Sequence, residues 1–305
     1  MAIYQNASLI YNPFAGKLNG KNDHLLQRTI AVLTKCGHRV TPVATTGPQT
    51  AASIASGCIK AGADVILAAG GDGTINEVMN GMIHSDVPLG ILPAGTANVL
   101  ACEMKIGTRM TVVAEKLHTL LPRKIAVGRL TQAGEHDGRH FILMAGAGLD
   151  AMIVYQIDAG LKAALGKVAY WVAGFRQVGR RLAEMDVRVD GRDLRCSFAL
   201  ASRVRNYGGD LNIARNASLL NDHFELVLFE GPSSLAYLKY FTGALTNRLA
   251  GMKGVKLLRA QRVELLGASN PRVYLQIDGE RAGVLPATLS IIPNAINLLM
   301  PPAYG

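Results

Sequence analysis

Five residues, Gly70-Gly71-Asp72-Gly73-Thr74, stand between a wholly apolar run at 64–69 (DVILAA) and a helical pattern that starts near Asn76. Glycines let backbone amides approach a phosphate with no Cβ in the way, and the following helix adds the partial positive charge of its amino end. Thr74 is placed to cap that helix, with Ile75 and Asn76 continuing from it. Asp72 is the unexpected member, because a carboxylate beside phosphates repels them unless a divalent cation lies between. Asp72 therefore points to Mg²⁺. Neither GxxxxGK[ST] nor GxGxxG is present. A second loop, Leu92-Pro93-Ala94-Gly95-Thr96-Ala97-Asn98, follows the next apolar run, and Gly95 with Thr96 offers backbone and hydroxyl donors. Read alone, that loop is equally a turn in which Asn98 starts a helix.

These loops need a sheet that ends beneath them. Strand patterns at 8–11, 40–43, 64–69 and 89–92 alternate with helical ones: a periodicity through Leu25, Leu26, Ile30 and Leu33, then 50–61 and 76–83. That alternation predicts a parallel sheet covered on both faces, with ligands beyond the carboxyl ends of its strands. After about Arg123 the pattern becomes strand upon strand, at 124–130, 141–145, 186–189, 196–202, 224–229, 261–266, 273–277, 288–292 and 296–300. Helical stretches near 151–183 and 233–249 interrupt it. The expected architecture is an α/β domain at 1–125, completed by 293–305, and a β-rich antiparallel domain at 126–292. A length of 305 residues suits two domains at about 100–200 residues each.

Composition narrows the class. The chain is 49% hydrophobic and 18% charged, which excludes a disordered protein. Its formal charge of +10 calls for an anionic partner. The four cysteines, Cys36, Cys58, Cys102 and Cys196, form no CxxC pair, against a zinc ribbon or a disulfide framework and in keeping with a reducing cytoplasm. The opening MAIYQNASLIYNP lacks the basic and apolar regions of a signal peptide, and no long apolar run is free of charge. Lys162, Lys167, Arg176, Arg180 and Arg181 alternate with Leu161, Leu165, Val168, Tyr170, Trp171, Val172 and Phe175. Such a stretch suits peripheral contact with an anionic membrane, or an ordinary core-facing helix with a solvated side. No nucleic-acid signature is present.

Gly70–Gly81 (GGDGTINEVMNG) together with Leu92–Ala101 (LPAGTANVLA) resembles the diacylglycerol kinase catalytic family, and within it the bacterial soluble lipid kinases related to sphingosine and ceramide kinases. The likeness extends through Asn12-Pro13 with Gly16, Thr45-Thr46, the run 141–151 (FILMAGAGLDA), Leu165-Gly166-Lys167-Val168-Ala169-Tyr170 and Asp278-Gly279-Glu280. The resemblance implies a first domain like those of NAD kinase and phosphofructokinase, and a sandwich-like second domain. It also implies ATP-dependent phosphorylation of a hydroxyl on a diacylglycerol-like or long-chain-base lipid, by an enzyme that is cytoplasmic and peripheral at the inner membrane surface. The nucleotide would lie between the domains on Asn12, Thr45, Gly70, Gly71, Asp72, Gly73, Thr74, Ile75, Asn76, Gly95 and Thr96. Asp72 would organise Mg²⁺, and Glu280 would act as general base. Leu219 and Phe224, through backbone groups, and Asp222 would hold a structural metal.

Three residues depart from the pattern. Val99 and Ala126 stand where acidic groups are usual, and His223 follows Asp222 in place of glycine, where its Cβ would strain an unusual φ. Without the resemblance, Asp278-Gly279 is a hairpin signal with Glu280 exposed, and Asp222 is a turn residue. An NAD-kinase-like enzyme with a soluble substrate and a non-catalytic lipid or nucleotide binder are the alternatives, and a homo-oligomer is left open.

Overall fold

The structure is a computed structural model that describes residues 4–18, 23–135, 137–156, 179, 181–207, 211–246, 248–267 and 272–305. The chain divides into two compact units, residues 1–126 with 293–305, and residues 127–292.

In the first unit, strands β1 (Ala7–Tyr11), β2 (Val40–Ala44), β3 (Val65–Gly70) and β4 (Pro88–Pro93) lie in the order β2-β1-β3-β4, all parallel. Helices α1 (Asp23–Lys35), α2 (Ala51–Lys60) and α3 (Asp72–Asn80) make the crossovers that parallel strands require. β3 sits in the middle, and each of its six residues is buried, as its unbroken apolar sequence demands. The register pairs Tyr11 with Ala44 and Ala69, and Gly70 with Pro93, so the four strands end at one edge. Residues 293–300 finish this sheet. They are the second part of a 14-residue strand, Ala287–Met300, and pair parallel to β4 at Asn297↔Pro88 and Leu298↔Leu89. Two further helices, α4 (Val99–Glu103) and α5 (Met110–Lys116), have too little apolar periodicity for the sequence to announce them.

The second unit contains an antiparallel six-stranded sheet. Its order is Val255–Ala260, Phe224–Phe229, Phe198–Ser202, Met144–Gly148, Tyr274–Ile277, Glu280–Val284. Strands Met185–Val189, Arg192–Cys196 and Arg262–Leu265, with the first part of Ala287–Met300, supply the facing layer. One core joins the layers: Phe141, Ala147, Phe224, Leu226 and Leu275 pack with Val187, Val263, Leu265 and Leu289. The Phe141 and Phe224 rings stack at 5.6 Å. The α/β-plus-antiparallel-sandwich class expected from the sequence is what the chain adopts.

Local corrections have physical causes. The expected strand 141–145 is two strands, Arg139–Phe141 and Met144–Gly148. The amides of Ile142 and Leu143 turn aside to the carboxylate of Asp278 instead of joining a ladder. The expected pair 288–292 and 296–300 is a single strand that continues through Pro293 and Asn294, the latter at φ 50°.

Candidate active site

α3 begins at Asp72, four residues earlier than the sequence pattern indicates. Gly73 lies inside its first turn, where glycine's low helix propensity argues for a loop. Gly71, extended at φ −85° and ψ 179°, is the N-cap, and no side chain caps the helix. Thr74 is thus a first-turn residue and not the cap. Gly70 makes this abrupt strand-to-helix turn possible: a Cβ there would lie 2.5 Å from the Cβ of Thr74.

The second loop is pressed against the first. The Ala94 and Gly95 amides donate to the Gly70 carbonyl at 2.9 and 3.1 Å. A Cβ on Gly95 would lie 2.5 Å from the Gly71 Cα, so the approach requires glycine at 95. Asn98, buried and left-handed at φ 48°, clasps the turn. Its Oδ1 accepts the Gly95 amide at 2.9 Å, and its Nδ2 donates to the Gly95 carbonyl at 2.7 Å. Thr96 is left exposed at the tip.

Asp72 ties the two loops together. Its carboxylate accepts the Val99 amide at 3.0 Å and the Leu100 amide at 3.2 Å, closing the amino end of α4. At Val99, an acidic residue would have set a second carboxylate on the backbone that Asp72 already holds. Ala126 is buried at 1% exposure.

The remaining strand ends bring further groups to the same edge. After β1, the Asn12 amide donates to Ala69 at 3.0 Å, and its Nδ2 donates to Thr74 Oγ1 at 3.2 Å. After β2, Thr45 is buried, and its amide donates to Tyr11 at 2.9 Å. Asn12, Thr45, Gly70, Gly71, Asp72, Gly73, Thr74, Gly95 and Thr96 thus share one sheet edge. Ile75 and Asn76 are buried at 1% and 8% exposure, and Asn76 Oδ1 accepts from Asn80 Nδ2 at 3.0 Å. Their side chains belong to the packing of α3.

Lys17 was not singled out by motif, yet its Nζ reaches the Thr108 carbonyl at 2.5 Å and the Pro93 carbonyl at 3.5 Å. Burial holds its pKa below the usual lysine range. The signal available in the sequence was its place one residue after Gly16, whose Cβ position lies 3.5 Å from Thr96 Oγ1.

In the second unit, Glu280 opens strand Glu280–Val284 and is exposed. The turn before it has two left-handed residues, Asp278 at φ 49° and Gly279 at φ 80°, as a two-residue hairpin requires. Three amides, those of Ile142, Leu143 and Met144, each donate to the Asp278 carboxylate at 2.9 Å. A buried chain lies behind the turn. The Gly279 amide donates to Gln276 Oε1 at 2.9 Å, and Gln276 Nε2 donates to Asp150 at 2.7 Å. The Tyr207 hydroxyl donates to the other Asp150 oxygen. Asp150 has no exposed surface, and burial pushes its carboxyl up from 3.8 to about 6, against the two hydrogen bonds that favour the anion. Gly146 leaves the room: a Cβ there would lie 1.6 Å from Asp150 Oδ2. The motifs give Asp150, Gln276 and Tyr207 no role, although Asp150 lies within the run 141–151 (FILMAGAGLDA).

The residues implied for a structural metal do not fit one. Leu219 and Phe224 are fully buried and Asp222 is exposed. The Leu219 carbonyl accepts from the guanidinium of Arg203 at 2.7 Å. His223 is not among the residues with left-handed φ, so its Cβ brings no strain. Among the described residues no group of three or more His, Cys, Asp or Glu could hold a metal ion. Of the basic stretch, Arg181 forms an isolated bridge with Ser233, while Lys162, Lys167, Arg176, Arg180 and their apolar neighbours lie outside the described residues.

Residues 6–130 match the diacylglycerol kinase catalytic domain, and residues 144–300 match the YegS C-terminal NAD kinase beta sandwich-like domain. The chain is 28% identical over 302 residues to a diacylglycerol kinase of Bacillus subtilis strain 168, covering 97% of each. It is 27% identical to a diacylglycerol kinase of Staphylococcus haemolyticus, covering 97% of this chain and 88% of that one. Its fold is similar to the crystal structure of a diacylglycerol kinase from Bacillus anthracis, with a TM-score of 0.80 at 19% identity and 99% of each chain covered. With the glycine loops at the strand ends and the sandwich that follows them, this chain belongs to the diacylglycerol kinase family and is a lipid kinase.

Proposed function

We propose that this lipid kinase transfers the γ-phosphate of ATP to a hydroxyl of a diacylglycerol-like or long-chain-base lipid. The observation that carries the reading is the contact of Gly71 with Gly95 at the carboxyl edge of the sheet, beside the uncapped amino end of α3. The Gly95 amide is taken up by the Gly70 carbonyl and Asn98 Oδ1, so what the two glycines offer is a surface with no Cβ, over which a phosphate can approach the first turn of α3 and its dipole. Asn12 and Thr74 hold the rim of that surface, and Thr96 supplies an exposed hydroxyl at its tip.

Phosphoryl transfer asks for in-line positioning and neutralisation of charge more than for covalent chemistry. Mg²⁺ bound with the nucleotide would supply that neutralisation. Asp72 fits an ion of this kind as a supporting carboxylate, since its oxygens already accept two amides. A cation that keeps most of its waters and takes its other ligands from phosphates suits one such carboxylate. Glu280 takes the proton of the attacking hydroxyl. The Asp278 turn and the Gln276–Asp150–Tyr207 chain fix the backbone from which Glu280 projects.

The substrate lies in a membrane, so the enzyme works as a cytoplasmic protein in peripheral contact with an anionic surface. No helix among the described residues is long and apolar enough to cross a membrane. The test is transfer of label from γ-labelled ATP to phosphatidylglycerol vesicles carrying either diacylglycerol or a long-chain base. Mg²⁺-dependent labelling of one of them is expected. Binding of ATP with no labelled lipid in either vesicle would overturn the reading.

A further inference from the structure

The turn that enters strand Phe224–Phe229 is held from the neighbouring strand Phe198–Ser202, which pairs with it at Ser202↔Glu225. Arg203 follows that strand directly and has no exposed surface, although arginine is among the residues least often buried. Its backbone amide donates to the Leu143 carbonyl at 2.8 Å. Its guanidinium faces the turn: Nη2 donates to the Leu219 carbonyl at 2.7 Å, and Nη1 donates to the Asn221 carbonyl at 3.0 Å. One planar fork thus gathers two carbonyls of a single turn, a task for which its rigid donors are preorganised. Leu219 is the residue whose carbonyl the family resemblance would give to a cation. Here that oxygen already faces a permanent positive charge, and a divalent ion placed beside it would meet strong repulsion in a buried setting. The next residues agree. Asp222 is exposed, and its carbonyl accepts Gln261 Nε2 at 3.0 Å.

We propose that Arg203 replaces the structural cation in this chain: its guanidinium closes the turn at 219–224, and the second unit stays folded with no divalent ion there. The readout is thermal stability without nucleotide, so it does not depend on the kinase reaction. The full chain is melted in EDTA, in MgCl₂ and in CaCl₂, and its metal content is measured after desalting. The expected result is one midpoint in all three conditions and no stoichiometric magnesium or calcium. Asp222→Asn is expected to keep both the midpoint and the indifference to metal. Arg203→Met and Arg203→Lys are each expected to lower the midpoint by several degrees, since lysine keeps the charge but cannot fork to both carbonyls. A wild-type midpoint that rises by several degrees with either ion, with the rise lost in Asp222→Asn, would overturn the proposal. So would an Arg203→Met protein as stable as the wild type. Should the Arg203 variants fail to fold, the wild-type and Asp222→Asn melts still decide the matter.

Discussion

The carboxylate of Asp72, in the first turn of one helix, accepts the backbone amide of Val99, in the first turn of another, at 3.0 Å. A single side chain therefore holds the two glycine loops in register, and substitution can separate this structural part from the catalytic part proposed for it. Asp72→Ala leaves the Val99 and Leu100 amides without that acceptor and is expected to cost about 1 kcal/mol, the usual value of a lost cap. Asp72→Asn keeps one acceptor oxygen but loses the charge. It is expected to fold within about 1 kcal/mol of the wild type while lipid phosphorylation falls about 100-fold or more. Urea unfolding beside the labelled-ATP assay checks both. Equal turnover in Asp72→Asn would leave Asp72 as a helix cap alone.

Gly95→Ala should separate the loops. Its new Cβ would lie 2.5 Å from the Gly71 Cα, a backbone atom, and 3.1 Å from Asn98 Oδ1, the oxygen that clasps the turn. A loss of about 1–3 kcal/mol of stability is expected from such overpacking, with a tenfold or greater rise in KM for ATP. Gly47→Ala, with nothing within 4 Å of the added atom, serves as the control. An unchanged KM in Gly95→Ala would show that the loop contact has no part in nucleotide binding.

For the base, Glu280→Gln keeps size and removes the proton acceptor. Turnover is expected to fall by about 10²–10⁴, the usual worth of general base catalysis, with ATP affinity unchanged. Gln276→Leu cuts the link between the Gly279 amide and Asp150 while leaving Glu280 in place. A smaller fall of about tenfold or more in kcat, with KM for ATP retained, is expected from its misplacement. Wild-type turnover in Glu280→Gln would remove the assignment.

Asp150 makes stability depend on pH. Its folded pKa, about 6, lies above its ordinary 3.8, so the folded chain binds the proton more tightly than the unfolded chain. Stability from this group is therefore intact below about 4, declines as pH rises to about 6, and is constant beyond. The interval from 3.8 to about 6 corresponds to roughly 3 kcal/mol. In urea unfolding at a series of pH values, Asp150→Asn is expected to lack this declining limb. Identical slopes in variant and wild type would exclude the role.

Much of this is legible in the sequence. The run 64–69 is apolar on both faces, and only a central parallel strand accounts for that. The glycines after it declare a backbone that something must approach. What stayed hidden depends on partners distant in sequence. Nothing near Asp72 announces that its acceptors serve amides 27 and 28 residues away. Asp150 and Gln276 lie 126 residues apart, so neither signals the other. The sequence pattern starts α3 too late because helix propensity counts Gly73 against a helix, whereas the close approach of Gly70 to Thr74 lets the helix begin at Asp72.

The C-terminal strand has a bearing on biosynthesis. Residues 297 and 298 seal the edge of β4, but the ribosome makes them only after the whole second unit. Until they emerge, the nascent first unit carries an open, apolar sheet edge of the kind that invites pairing between chains. The glycine loops precede the second unit in the chain, but the sheet beneath them is complete only after that unit has been made.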